Sequence, residues 1–221
     1  MSGNRPFRIA VLISGSGTNL QAIIDAVAAG DIPARIERVI CNRPGAAGLT
    51  RAERAGIDTE VLDHREFADR ERYDEALAGR LDAVSPDLVV LAGFMRILTD
   101  GFVTRFMGRL INIHPSLLPA YRGLHTHQRA IDAGETRHGC SVHYVIPELD
   151  AGPVIAQAAV PIHPGDNAET LQDRVQSMEH RLYPEVVRWI AEGRVTLQAG
   201  RVWLDDEPLN SPPCLEPEAA S

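Results

Sequence analysis

The chain has 221 residues, 44 % of them hydrophobic, with 22 basic against 30 acidic side chains and a formal charge of −8. All 22 basic residues are arginines, which excludes chemistry that needs a lysine amine: Schiff-base aldolases, pyridoxal-phosphate enzymes and P-loop nucleotidases. The acidic balance speaks against nucleic acid as a partner, and the longest apolar stretch, residues 88–95, is too short to cross a membrane.

Residues 7–13 form an apolar run that ends in Ser-Gly-Ser-Gly-Thr-Asn at 14–19. Behind it Leu20, Ile23, Ile24 and Val27 recur at helical spacing, which predicts a strand, a glycine turn and a helix. Further strands are expected at 36–41, 59–62 and 88–92, the last apolar throughout, as in a strand buried on both faces. A short helix is expected before Gly56, and Tyr73, Leu77, Leu81 and Val84 put one apolar face on another that Ser85-Pro86 ends. This alternation predicts an α/β fold, an open and mostly parallel twisted sheet with helices on both faces and a ligand at the strand ends.

The second half changes character. Strands are expected at 110–113, 140–146 and 154–160, the last two antiparallel. A long helix is expected from a capping box at Asp166 and Glu169 to Gly193, with Leu171, Val175, Met178, Leu182, Val186 and Ile190 on its core stripe and Pro184 as a kink. A hairpin of 195–198 and 201–204 about Ala199-Gly200 closes the domain. The expected organisation is a single domain over 7–204, with halves 7–111 and 112–204, followed by a disordered acidic tail at 205–221 that holds five acids and no base.

Three segments carry candidate chemistry. Glycines after a first strand let backbone N–H groups approach a phosphate at a helix N-terminus, and Thr18 and Asn19 add side-chain donors; a tight turn with a helix cap explains the same residues. Strand alternation puts Asn112 and His114 on one side, where an amide and an imidazole can both donate to a developing oxyanion, although a buried histidine bonded to a loop carbonyl is the ordinary alternative. Asp150, in a Glu-Leu-Asp-Ala-Gly-Pro turn at 148–153, could orient that imidazole if the fold brings them together. His125 and His127 lack a third ligand at recognisable spacing and Cys41, Cys140 and Cys214 are scattered, so no metal is expected. With no apolar signal core in the first six residues, a cytoplasmic setting is expected.

Taken in order, the segments at 13–23, 91–98 (Leu-Ala-Gly-Phe-Met-Arg-Ile-Leu), 111–119 (Ile-Asn-Ile-His-Pro-Ser-Leu-Leu-Pro), 123–127 (Gly-Leu-His-Thr-His) and 148–155 resemble the phosphoribosylglycinamide formyltransferase family over residues 7–204. The resemblance implies formyl transfer from 10-formyltetrahydrofolate, as co-substrate, to the amine of 5-phosphoribosylglycinamide in purine synthesis. It implies Asn112, His114 and Asp150 as the catalytic trio. For the ribonucleotide it implies Gly17, Thr18, Asn19 and Glu179; for the folate, Arg70, Met95, Arg96, Ile97, Leu98, Asn112, Val145 and Ile146. The partners it implies are small molecules, with no nucleic acid and no membrane, and it leaves open a homodimer. Arg122 stands where the family often has proline. The rival readings are another formylfolate user, a formyltetrahydrofolate hydrolase or a methionyl-tRNA formyltransferase, and, outside enzymes, a nucleotide-binding module that would leave Asn112, His114 and Asp150 without purpose.

Overall fold

A computed structural model of the chain describes residues 5–217, which divide into two compact units between Ile111 and Asn112. Eight strands belong to a mostly parallel mixed sheet and three more to a small antiparallel one.

In the first unit, β1 (Phe7–Ile13) pairs in parallel with β2 (Ala34–Cys41) and β4 (Leu88–Leu91), and β2 with β3 (Thr59–Val61). Residues 9–13 and 88–90 are fully buried, which is why both runs are apolar without alternation. Between the strands lie α1 (Thr18–Ala29), α2 (Ala47–Arg54) and α3 (Arg70–Val84). Helix α1 buries Leu20, Ile23 and Ile24, and its entry turns on Gly17, the N-cap residue at φ 70°. A Cβ at Gly17 would lie 2.6 Å from the Cα of Gly48 on α2, so this turn tolerates glycine alone for both conformational and contact reasons. Helix α3 starts where the Asp69 carboxylate accepts from the Arg72 N–H. A short helix, α4 (Asp100–Arg105), lies beyond the sequence expectations; it buries Phe102 and Val103, and six residues are too few to show a period.

Strand β5 (Leu110–His114) runs from the first unit into the second. There the sheet order is β5, β6 (Arg137–Tyr144), β7 (Val154–Pro161) and β11 (Cys214–Leu215), with β6 and β7 antiparallel as expected. β6 begins three residues earlier than the apolar pattern suggests and ends at Tyr144, leaving Val145 and Ile146 in the following loop. Helix α5 (Thr126–Asp132) follows the 115–125 loop, and α6 (Ala168–Ala191) packs on β6 and β7 through Leu171, Val175, Met178, Leu182 and Val186. Its cap is not the expected Asp166 with Glu169. Asn167 and Thr170 form the reciprocal box one residue later, at 2.9 and 3.0 Å, because Asp166 already accepts from the His163 N–H and both amino groups of Arg174.

The hairpin β8 (Val195–Gln198) and β9 (Arg201–Leu204) turns at Ala199 and Gly200, both at positive φ. The acidic tail, expected to be disordered from residue 205, is a correction as far as residue 217. β10 (Glu207–Pro208) adds a third strand to the hairpin, and β11 pairs with the edge of β7, Cys214 opposite Gln157 and Leu215 opposite Ala158. Strand addition needs only backbone partners, and Asp205 is taken up by Arg194 at 2.7 Å and Glu216 by Arg137, so composition is a poor guide here. Residues 218–221 of the expected tail lie outside the described residues.

A Gly17→Ala substitution forces a side chain into positive φ and into Gly48, and should cost about 2 kcal/mol. Urea unfolding of the purified variant measures it; a loss below about 0.5 kcal/mol would contradict the close approach.

Candidate active site

The second unit places three of the expected residues together. Strand β5 ends in His114, only 6 % exposed, and the loop after Tyr144 delivers Asp150 at φ 49°. The Asp150 carboxylate is 3.4 Å from His114 Nδ1 through Oδ2, and the same oxygen accepts from the Gly123 N–H at 2.9 Å. His114 Nε2 is 3.0 Å from the Tyr121 carbonyl oxygen. Carboxylate and carbonyl can only accept, so the ring meets an acceptor at each nitrogen.

Asn112 reaches this cluster through a residue that sequence reasoning missed. Its Nδ2 lies 3.3 Å from His143 Nε2, while His143 Nδ1 is 2.9 Å from the Tyr144 carbonyl. The carbonyl accepts from Nδ1–H, which leaves the Nε2 lone pair to accept from the Asn112 amide. His143 Nε2 is also 3.9 Å from the other oxygen of Asp150. His143 is 2 % exposed, and burial holds its pKa below the ordinary 6.5, in keeping with a neutral ring. The end of the amide that points away from His143 is therefore settled by a fixed tautomer.

The 115–120 loop that follows His114 is fastened from below. Ser141 Oγ donates to the Ser116 carbonyl at 2.7 Å and accepts from the Leu118 N–H, and Gln157 Nε2 donates to the Leu118 carbonyl at 2.9 Å. Thr126 Oγ1 donates to the Pro115 carbonyl at 2.6 Å. Of the remaining expectations in this unit, Val145 and Ile146 lead into the Asp150 loop, and Glu179 sits buried on α6.

The first unit holds the others. Gly17 is the N-cap of α1 and Thr18 and Asn19 are its first two residues, so all three lie at the positive end of the helix dipole. Ser14 Oγ, just before that turn, accepts from the Met95 N–H at 2.7 Å and so ties the glycine turn to the segment after β4. In that segment Met95 is 65 % and Ile97 58 % exposed, while Leu98 is buried and the Arg96 guanidinium stacks on the Tyr73 ring at 4.6 Å. Arg70 opens α3, the helix that carries Tyr73.

Residues 7–187 match the sequence profile of the formyl transferase family. The chain belongs to that family. It is 51 % identical to a phosphoribosylglycinamide formyltransferase of Escherichia coli over 201 residues, 91 % of this chain and 95 % of the relative. It is 45 % identical over 202 residues to the human trifunctional purine biosynthetic protein adenosine-3, of which the match covers 20 %. Among solved structures, the phosphoribosylglycinamide formyltransferase of Coxiella burnetii superposes with a TM-score of 0.91 at 51 % identity, over 96 % of this chain and 100 % of that one.

For a member of this family, His143 is the residue whose signal was weakest. A lone histidine inside the apolar strand 140–144 looks like core, and only its contact with Asn112 marks it. Tyr121 and Gly123 act through backbone atoms, which no side-chain pattern reveals. Among the described residues no helix is long and apolar enough to cross a membrane, and no group of three or more potential ligands could hold a metal ion. His127 and His138 pack edge to face at 5.1 Å instead.

Burial, aided by the neighbouring His127 and His114, lowers the His138 pKa from 6.5 to about 4, and burial also lowers those of His127 and His143. The folded protein keeps these rings neutral while the unfolded chain protonates near 6.5, so stability is lost as pH falls from about 6.5 toward 4. A His138→Gln variant should show a shallower loss when urea unfolding is compared at about pH 7 and pH 5; equal slopes would contradict the assignment.

Proposed function

We propose that this chain transfers the formyl group of 10-formyltetrahydrofolate to the amine of 5-phosphoribosylglycinamide, a step of purine biosynthesis on small-molecule substrates in the cytoplasm. The observation that carries the reading is the cluster of Asn112, His114, His143 and Asp150, an amide held by one buried imidazole and a second buried imidazole beside one carboxylate. The names of the bacterial relatives, similar over nearly the whole chain, support the choice of substrates.

The chemistry follows from the donors. The amine nitrogen attacks the formyl carbon, a C–N bond forms, and the carbonyl electron pair moves onto oxygen. The His114 ring is anchored at Nε2 by the Tyr121 carbonyl, and its Nδ1–H points to the side where Asn112 and Asp150 lie. The oxyanion's donors are the second N–H of Asn112 Nδ2, the first being taken by His143, and the His114 Nδ1–H, which turns to it from the long 3.4 Å contact with Asp150. Asp150 balances the imidazolium and takes up the proton that the attacking amine loses. Collapse of the oxyanion breaks the bond from the formyl carbon to the folate nitrogen, which leaves with the electron pair and accepts a proton.

Binding is assigned by chemistry. The amides of Gly17, Thr18 and Asn19, with the two side-chain donors, suit a phosphate at the start of α1. The Glu179 carboxylate suits ribose hydroxyls. Arg70, Met95, Arg96, Ile97, Leu98, Asn112, Val145 and Ile146 are assigned to the folate, whose flat ring system suits the exposed side chains of Met95 and Ile97.

In an assay of formylfolate consumption, His114→Ala and Asp150→Ala should each lower kcat by about 10²–10³ while ribonucleotide binding stays nearly intact. Turnover within about threefold of wild type for both would overturn these roles. Consumption that is equally fast without the ribonucleotide would identify a hydrolase. Asn19→Ala should raise KM for the ribonucleotide more than for the folate, and equal effects would count against the phosphate site.

A further inference from the structure

The segment 121–125 touches both members of the His114–Asp150 pair, and does so only through its backbone. Its path is costly, because Tyr121, Gly123 and His125 all adopt positive φ, at 54°, 79° and 58°. Glycine does this freely, whereas the tyrosine and histidine persist there only if their surroundings impose it. The Tyr121 hydroxyl donates to Glu135 at 2.8 Å, which holds the side chain and not the turn. Arg122 pairs with Glu148 at 2.6 Å, but this exposed ion pair is of the kind that contributes little.

The turn itself is held by Arg129, one helical turn into α5. Its Nη1 donates to the Arg122 carbonyl at 2.7 Å and to the Leu124 carbonyl at 3.3 Å, and its guanidinium lies 5.4 Å from the centre of the Tyr121 ring. The Arg122 carbonyl shares its peptide group with the Gly123 N–H that Asp150 accepts, and the Leu124 carbonyl lies two peptide groups on, so one cation pins the backbone around that N–H. Nη1 reaches both carbonyls while the planar guanidinium lies over the ring, a fixed geometry that a flexible ammonium stem does not preorganise.

We infer that Arg129 is a positioning residue for formyl transfer: it holds the 121–124 backbone so that the Tyr121 carbonyl orients His114 and the Gly123 N–H orients Asp150. The inference rests on the proposed function for its catalytic consequence, and on geometry alone for its structural one.

The two parts are tested together with the full chain, comparing wild type, Arg129→Ala and Arg129→Lys by amide hydrogen exchange and by steady-state formyl transfer. In Arg129→Ala the Gly123 amide should exchange about tenfold faster while the amides of β6 and β7 are unchanged. Its kcat should fall about five- to tenfold, with KM for the ribonucleotide within about twofold, the effect of losing a charge-assisted hydrogen bond that orients the reacting groups. Arg129→Lys, which keeps the charge and a donor nitrogen but loses the planar guanidinium, should fall between the two in both readouts. Unchanged exchange at Gly123 in Arg129→Ala overturns the inference whether or not the wild type transfers formyl. Faster exchange with unchanged kcat overturns the catalytic part. A wild type that shows no formyl transfer overturns the proposed function instead, and the exchange result then still decides whether Arg129 holds the turn.

Discussion

The cluster around His114 depends on one close approach of backbone to backbone. A Cβ on Gly152 would stand 1.7 Å from the Tyr144 carbonyl oxygen, so only a bare backbone lets the 147–153 loop fold back that tightly on the end of β6. The Tyr144 N–H donates to the Pro153 carbonyl at 3.0 Å and closes the loop. That carbonyl of Tyr144 is also the acceptor that fixes the His143 tautomer, and His143 in turn receives the Asn112 amide. The tightness of one loop therefore sets the reach of Asp150 and, by a separate route, the orientation of the amide that shares its site.

Two buried histidines beside one carboxylate are kept distinct by what else each ring meets. His114 faces a carbonyl and a carboxylate, which are acceptors at both nitrogens. His143 faces a carbonyl at one nitrogen and an amide donor at the other, and its burial disfavours a second proton. The environment thus makes one imidazole a donor and the other an orienting acceptor, though both lie within 4 Å of Asp150.

How far this was legible in the sequence depends on whether a feature lives in side-chain pattern or in backbone geometry. The central strands could be read because complete burial leaves an unbroken apolar run, as at residues 9–13 and 88–90. The glycine turn at 15–17 could be read because glycine is needed at Gly17 for its conformation. Asn112 and His114 could be paired by strand alternation, and Asp150 added through its resemblance to a known family. His143 was hidden because a histidine in a buried strand has the same context whether it is core or functional. The positive φ at Tyr121, His125 and Asp150 follows from tertiary contacts rather than from residue type, and α4 is shorter than the period that would reveal it.

The absence of lysine bears on structure as well as on chemistry. Every cation in this chain is a planar fork, and the described structure uses that shape. Arg174 meets both oxygens of Asp166 and Arg194 both oxygens of Asp205 through two nitrogens each, while Arg129 reaches the Arg122 and Leu124 carbonyls of a strained turn from one. Pairs of this kind are weak individually when exposed, but they are directional. Arg194 and Arg137 hold acids near the two ends of the segment 205–216, where backbone pairing to β9 and β7 supplies the rest of the order. The acidity that suggests a solvated tail thus includes the partners of arginines on the folded units. A net charge summed over the chain consequently carries little information about the anion site, because the donors proposed there, the amides at the start of α1, have no formal charge to count.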